Sequence, residues 1–336
     1  MRISYDELVA VLLKILLNLG FDHDRARLCA QLFAETSLDG VYSHGLNRFP
    51  QFVRMIKSGV IIVHAQPQLS ASFGALERWN GNSGPGNLNA WRCMERAIAI
   101  SREHGLGCVA LANTNHWMRG GSYGWQAAEA GVIGICWTNT LPNLPPWGAA
   151  DPRVGNNPLI IAVPRAAGHV VLDMAMSQFS YGALASYRMR GEQLPVAGGF
   201  DSAGNLTRDP ATIEGSKRPL PIGYWKGSGL SLMLDMVGAL LSGGCATHQI
   251  TADSECETKI SQVFIALAPT TLIRSDPSRN IVDQIIEDLQ LPRTGSAGEV
   301  RYPGQRVLQT RKQNLAEGIP VEPEIWRDVQ ALSQTS

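Results

Sequence analysis

Residues 42–48, with the sequence YSHGLNR, hold the first pair of side chains that can carry chemistry. If this segment is helical, His44 and Arg48 lie one turn apart on the same face. Arg48 can bind a carboxylate through two parallel hydrogen bonds. His44 titrates near neutral pH and can give a proton to an oxygen that is gaining negative charge. The pair indicates a small anionic carbonyl substrate; the alternative is a helix start with a packed histidine and a solvated arginine.

Residues 113–121, with the sequence NTNHWMRGG, form a second polar cluster. They follow an apolar run that predicts a strand, and they precede a predicted helix. Proteins with alternating strands and helices place their sites at the carboxyl ends of strands. Asn115 and His116 are therefore candidates to bind substrate oxygens. The alternative is a simple turn that uses asparagine and glycine for their backbone freedom.

Residues 223–229, with the sequence GYWKGSG, form a third candidate. They lead into a long apolar helix, whose first backbone N–H groups, together with Lys226, can bind phosphate or another anion. A capped helix start with a lysine stretched along the surface is the alternative. The three segments together fit reduction of a carbonyl by an external hydride donor. Such a reaction needs a proton donor and charged clamps but no protein nucleophile.

Several standard motifs are missing from the sequence. No Gly-x-Gly-x-x-Gly follows a strand, no phosphate-binding Walker pattern is present, and no Gly-x-Ser-x-Gly nucleophile elbow occurs. The histidines show no pair at the i, i+4 spacing of a helical zinc site, so we expect no metal. One hypothesis from a different class stays open at this point. It is a metal-dependent lyase or aldolase of sugar acids with His44, His116 and His248 as scattered ligands.

The composition excludes some classes of protein. The chain has 336 residues, with 29 basic and 29 acidic side chains, which argues against a nucleic-acid binder with a broad basic surface. Hydrophobic residues make up 44%, enough for a sizeable core. No run approaches the roughly 20 apolar residues of a membrane span, and Ser4 with Glu7 indicates a helix capping box rather than a signal peptide. The six cysteines are widely spaced, so we expect a cytoplasmic protein with free thiols.

Hydrophobic periodicity predicts a helical segment over the first sixty residues and then helices mixed with strands. This order indicates an α/β layered fold. After the first helix, we predict helices over residues 24–38, 46–57, 87–104, 123–130, 229–241 and 324–332. Pro50 implies that the second of these is kinked or starts just before Pro50. The helix at 229–241 has one apolar side, formed by Leu230, Met233, Met236, Val237, Leu240 and Leu241. We predict strands over residues 107–113, 132–138, 158–163, 170–174 and 262–272. From residue 292 onward, up to the last helix, the chain reads as turns.

Seven segments resemble the malate/L-lactate/ureidoglycolate dehydrogenase family, whose members lack a Rossmann fold. The two most specific are GVYSHGLNRFP at residues 40–50 and NHWMRGGSYGWQ at residues 115–126. The others are GICWTN, PPWG, NPLI, FSYG and GYWKGSG, starting at positions 134, 145, 157, 179 and 223. The resemblance implies a family-specific α/β fold with a mixed sheet, flanking helices and a helical N-terminal segment. It also implies a homodimer that reduces 2-keto acids with a nicotinamide cofactor.

The resemblance assigns roles to residues. His44 falls on the family's proton donor, and the preferred substrate is a 2,3-diketo sugar acid that receives hydride at C2. The cofactor is NAD, as NADH, with NADP as the alternative. Asp173 can hold a ribose hydroxyl, and Arg48 the substrate carboxylate. The segments implied to contact the cofactor are His169, Val170, Val171, Leu172, Asp173, Met174 and Ala175, then Trp225 and Lys226, and finally Gly304, Gln305 and Arg306.

Two departures from the family pattern bear on these roles. Residues 196–198 lack an acidic residue that is often found there, which removes one candidate for orienting His44. Arg306 adds a cation that favours a phosphorylated adenosine ribose.

For the domain organisation, we expect residues 1–60 to pack with residues 307–336. Residues 61–306 then form the region that binds cofactor and substrate, with a smaller inserted subdomain.

Overall fold

A computed structural model describes residues 1–250, 257–269, 278–291 and 299–334 of the chain. Its α-helices are α1 (Tyr5–Asn18), α2 (His23–Leu38), α3 (Phe49–Lys57), α4 (Gly86–His104), α5 (Gly121–Glu129), α6 (Tyr181–Met189), α7 (Pro210–Ser216), α8 (Trp225–Ser242), α9 (Ser278–Gln290), α10 (Gln305–Glu317) and α11 (Pro323–Leu332). Its strands are β1 (Arg2–Ile3), β2 (Gln68–Phe73), β3 (Leu76–Asn80), β4 (Leu106–Thr114), β5 (Ile133–Thr138), β6 (Pro142–Leu144), β7 (Val154–Gly155), β8 (Leu159–Val163), β9 (Val170–Met174), β10 (Gly199–Phe200), β11 (Leu206–Thr207), β12 (Ile260–Leu267) and β13 (Ile319–Pro320).

A seven-stranded sheet organises the described part of the chain, in the order β2-β3-β4-β12-β5-β8-β9. Strands β3 and β4 run parallel, whereas the other neighbouring pairs are antiparallel. Helices α4 and α5 pack on one face through a core that includes Met94, Trp125 and Phe264. Helix α8 packs on the other face around Trp137 and Val263. The predicted α/β fold with a mixed sheet and flanking helices is confirmed.

The N-terminal helices pack with the C-terminal end of the chain. The Ser4 hydroxyl caps α1 by accepting from the Glu7 N–H group, as the sequence predicts. The buried face of α1 shares a hydrophobic cluster with Trp326 and Val329 of α11, and β1 pairs with β13. The division of the chain at residues 60 and 306 into two regions stays a prediction. None of the helices found in the described residues has the length and apolar character to span a bilayer.

Three features of the local structure differ from the sequence prediction. His44 and Arg48 do not share an α-helix, because each ends a short 3₁₀ turn, Tyr42–His44 and Leu46–Arg48. Helix α3 begins at Phe49, just before Pro50, which is one of the two starts that the sequence predicts. Residues after 292 are not all turns, because α10 lies there. Strand β12 ends at Leu267, and the remainder of that predicted strand, from residue 270, lies outside the described residues.

Helix α8 has an unusual distribution of side chains. Of the six apolar residues that the sequence places on one side of this helix, Val237 and Leu241 pack against the core, whereas Leu230, Met233, Met236 and Leu240 are exposed. The helix instead turns Ser231 and Asp235 toward the protein. Their oxygens take part in hydrogen bonds with Asn157, Asn139 and neighbouring backbone groups. Buried polar contacts, which hydrophobic periodicity does not reveal, therefore help to set the orientation of this helix.

Candidate functional site

A cleft of about 560 Å³ lies between the N-terminal helices and the edge of the sheet. Its wall is formed by the 3₁₀ turn Tyr42–His44, by residues 116–120 between β4 and α5, by strand β9, and by residues 301–304 before α10. The volume is in the range of small-molecule binding sites. His44, His116 and Asp173, which the sequence places far apart, all line this one cleft.

His44 is a partly buried imidazole with a fixed orientation. Its Nδ1 atom lies 2.9 Å from the Ser43 hydroxyl oxygen, and its ring stacks against the ring of His116 at a centroid distance of 5.8 Å. Burial lowers the pKa of His44, and the nearby Arg48 charge lowers that pKa further, whereas Asp173 acts in the opposite direction. His44 is therefore mainly neutral at pH 7 in the free protein.

His116 has both ring nitrogens facing protein groups. Its Nδ1 atom accepts from the Met118 N–H group at 3.0 Å, so the neutral ring carries its proton on Nε2. That nitrogen lies 3.7 Å from a carboxylate oxygen of Glu257. Burial, Arg48 and His44 hold the pKa of His116 well below its usual value. His116 thus lines the cleft as a neutral ring.

Glu257 is a residue of the site that sequence reasoning missed. Its side chain is 9% exposed, and one oxygen accepts from the Leu141 N–H group at 2.8 Å. Burial raises its pKa, although that hydrogen bond and Arg48 oppose the shift. No local pattern could have identified it, because its partners lie more than one hundred positions away.

The predicted substrate residues Arg48 and Asn115 do not reach the wall of this cleft. The Asn115 amide donates to the backbone carbonyls of Ser83 and Gly84 at 2.8 and 2.9 Å, which braces the turn before α4. Arg48 is partly buried, and its charge acts on His44, His116 and Glu257. The roles of both residues in substrate binding stay predictions.

Strand β9 is the last strand of the sheet, and part of the predicted cofactor segment lines the cleft. Val171, Leu172, Asp173 and Ala175 lie on its wall, whereas His169, Val170 and Met174 do not. The Val171 N–H group donates to the Pro303 carbonyl at 3.0 Å. A Cβ atom on Gly304 would lie 3.1 Å from the Val171 nitrogen, and Gly304 has φ +93°, so this approach favours glycine. The structure thus brings two of the three predicted cofactor segments together.

The remaining predicted cofactor residues lie away from this wall. Trp225 and Lys226 are exposed at the start of α8, and Arg306 is exposed at the start of α10. Gln305 accepts from the Tyr302 N–H group and from the Gln290 amide. Their contacts with a cofactor stay predictions.

Arg119 is a second residue that sequence reasoning did not select, although it lies within the cluster at residues 113–121. Its guanidinium lines the cleft with a side chain that is 4% exposed, and it pairs with the buried Asp39. Its Nε atom, and Nε1 of Trp125 on the same wall, form no hydrogen bond within the part of the chain that the structure describes. Buried N–H groups are normally paired, so these two donors suit a ligand with acceptor oxygens.

Comparison with known proteins gives consistent results. Residues 3–330 match the family model described as malate/L-lactate dehydrogenase. The chain is 47% identical over 334 residues to a 2,3-diketo-L-gulonate reductase from Escherichia coli O1:K1 / APEC, covering 99% of this chain and 100% of the relative. A solved sulfolactate dehydrogenase from Methanocaldococcus jannaschii is similar, with a TM-score of 0.92 and 25% identity over 99% of this chain and 96% of the other. A solved malate dehydrogenase from Pyrococcus horikoshii OT3 has a TM-score of 0.89 and 25% identity, covering 99% and 95% of the two chains.

Proposed function

The chain belongs to the malate/L-lactate dehydrogenase family, and we propose that it reduces 2,3-diketo-L-gulonate to 3-dehydro-L-gulonate with NADH. It is an oxidoreductase of 2-hydroxy and 2-keto acids that uses a nicotinamide cofactor. The main structural support for the proposed reaction is that one cleft contains both His44 and the edge strand β9. The choice of substrate rests on the 47% identical reductase.

The residues of the cleft fit a nicotinamide dinucleotide. The donors without a partner on Arg119 and Trp125 suit phosphate or amide oxygens, and the exposed part of Asp173 suits a ribose hydroxyl. The close approach of Gly304 to Val171 brings backbone groups to the wall. When bound, the cofactor supplies the hydride. His169, Trp225, Lys226, Gln305 and Arg306 are proposed to contact its more distant parts.

His44 is the proposed proton donor. Its neighbour Ser43 contacts Nδ1, which leaves Nε2 to face the substrate oxygen. As hydride reaches C2 of the keto acid, that oxygen gains negative charge, and a proton from the imidazolium neutralises it. Arg48 and Asn115 are proposed to act on the substrate carboxylate and oxygens, with His116 beside them on the cleft wall.

The pH dependence of the reaction tests this role of His44. Reduction needs protonated His44, whose pKa lies below its usual value of 6.5. We therefore expect kcat/KM for keto-acid reduction to fall as pH rises through a value below 6.5, and oxidation of the hydroxy acid to rise in the same window. Initial rates in both directions, measured from acidic to alkaline pH, check this. A profile that is flat across that window in both directions would contradict it.

The substrate and the cofactor are tested by one panel of assays. Purified protein is mixed with 2,3-diketo-L-gulonate or with simple keto acids of malate or lactate type, with NADH and NADPH in parallel. We expect the highest kcat/KM with the diketo acid and NADH. A higher kcat/KM with a simple keto acid would support the alternative that the enzyme reduces a malate- or lactate-type substrate. A preference for NADPH would indicate that the Arg306 cation binds the phosphorylated adenosine ribose.

The lyase hypothesis requires three histidines at one metal. Among the residues that the structure describes, there is no group of three or more side chains that could hold a metal ion. His248 is exposed on the short 3₁₀ turn Thr247–Gln249. NADH oxidation that is insensitive to EDTA is expected, and activity that EDTA abolishes would support the lyase.

A homodimer is proposed, and the exposed apolar side of α8 supports it. Leu230, Met233, Met236 and Leu240 form a patch on a helix whose opposite side is partly polar, an arrangement typical of a surface that another chain covers. We expect Met233→Glu to convert the dimer to a monomer, because a carboxylate cannot be buried there unpaired. Light scattering after gel filtration checks this. Ile285→Glu, at another exposed apolar position, is the control, and dimeric Met233→Glu protein would contradict the assignment.

A further inference from the structure

Asp39 is a fully buried carboxylate between two arginines. It directly follows α2, and its side chain has no exposed surface. One oxygen accepts from Nε of Arg311 at 2.6 Å, and the other accepts from Nη2 of Arg311 at 2.9 Å and from Nη1 of Arg119. No role in the reaction has been assigned to this residue, and it does not touch the cleft.

The first arginine, Arg119, connects Asp39 to strand β9, the proposed cofactor strand. Arg119 lies on the cleft wall, and its Nε atom is 3.9 Å from Oδ2 of Asp173. That same oxygen accepts from the Gly121 N–H group at 3.0 Å, at the start of α5. A Cβ atom on Gly121 would lie 2.6 Å from it, so Asp173 is held closely against this turn. Asp39 therefore fixes the guanidinium that stands beside Asp173.

The second arginine, Arg311, belongs to α10, which follows the segment of the cleft wall at residues 301–304. It lies in the second turn of this helix, and its guanidinium packs over the ring of Trp125 at 5.3 Å. Trp125 lines the cleft. Residues 303–304, which cover β9 at Val171, directly precede α10. Asp39 thus contacts two arginines that support two segments of the cleft wall, residues 116–120 and 301–304, which are distant in the sequence.

The charges explain why both segments of the wall depend on this carboxylate. Asp39 is the carboxylate that contacts both Arg119 and Arg311, and its negative charge offsets their mutual repulsion. If that charge is removed, two guanidinium groups face each other with little solvent, and at least one must move away. Because each guanidinium contacts the cleft wall or a residue of it, such a movement changes the shape of the cleft.

We propose that Asp39 is a positioning residue for the cofactor, which it serves by holding Arg119 and Arg311 against the two segments of the cleft wall at residues 116–120 and 301–304. This inference rests on the proposed function, since it assumes that a nicotinamide dinucleotide binds in the cleft. Asp39 acts through the two arginines and makes no contact with the reacting atoms. It follows that its loss weakens cofactor binding more than it slows the chemical step.

Binding of NADH to the Asp39→Asn variant tests the proposal, with tryptophan fluorescence as the readout. We expect the Kd for NADH to rise about tenfold or more, while kcat at saturating NADH stays within about threefold of the wild type. The matched control is Glu77→Gln. Glu77 is also buried, and it accepts a bidentate pair from Arg96 away from the cleft. Both variants lose thermal stability, but only Asp39→Asn loses affinity.

Arg311→Gln is the second variant, and it tests the proposed positioning role if Asp39→Asn does not fold. It keeps the pair between Asp39 and Arg119 and releases α10, so a raised Kd for NADH is again expected. A Kd within about twofold of the wild type in every variant that folds, alongside a lowered Tm, would mean that Asp39 only stabilises the fold and would overturn the inference. Failure of the wild type itself to bind NADH or NADPH would overturn the proposed function instead.

Discussion

Replacement of His44 by glutamine is expected to lower kcat for keto-acid reduction by about 10²–10⁴-fold, the usual contribution of general acid catalysis. The amide cannot give up a proton to the developing alkoxide, while its size and hydrogen bonding keep the cleft nearly unchanged. The Kd for NADH should stay close to that of the wild type. Single-turnover mixing of the NADH-loaded variant with keto acid separates the chemical step from binding.

His248→Gln is the matched control for this experiment. It makes the same change of an imidazole to an amide at an exposed position outside the cleft, so wild-type kcat is expected. Near-normal kcat in His44→Gln would remove His44 from the role of proton donor. An equal loss of kcat in both variants would show that the effect is not specific to an imidazole in the cleft and would contradict the role of His44.

Arg48→Lys is expected to raise the KM for the keto acid about tenfold, with a smaller effect on kcat. Lysine keeps the positive charge but cannot form the two parallel hydrogen bonds of a guanidinium with a carboxylate. Arg48 does not reach the cleft wall, so this prediction requires a side-chain movement when substrate binds. Initial rates at saturating NADH give the KM, and an unchanged KM would count against the carboxylate clamp.

Comparison of Arg48→Gln with Arg48→Lys distinguishes the effect of the Arg48 charge from the effect of its two parallel hydrogen bonds. The Arg48 charge lowers the pKa of both His44 and His116, so its removal should move the falling limb of the pH profile to higher pH. Arg48→Lys should leave that limb near its wild-type position. The same pH profile in all three proteins would show that the Arg48 charge does not act on the proton donor.

The local pattern of the sequence was sufficient for much of the fold. Strand β9 covers residues 170–174, as the apolar run predicts, and α4 differs from its prediction by one residue. Helix α10 was missed because it follows Gly304 without a side chain that caps its first turn. Its Val307, Leu308 and Leu315 are too few to form a clear apolar stripe.

The site was predictable only where its residues lie close together in the sequence. The local pattern singled out His44, the family resemblance alone implied a cofactor role for β9, and the structure brings both to one cleft. Glu257 and Asp39 do not stand out, because a buried acidic residue is recognised by its partners and theirs are distant. The pairing of Asp39 with Arg311 spans 272 positions, which no local pattern can reveal.

A crystal structure with bound NADH and an unreactive keto-acid analogue tests the central claim most directly. The account predicts the nicotinamide ring in the cleft beside β9, with its C4 atom about 3.5 Å from the carbon that accepts hydride. It also predicts Nε2 of His44 within about 3.2 Å of the oxygen on that carbon. A nicotinamide ring docked away from His44, or another group within hydrogen-bond distance of that oxygen in its place, would contradict the account.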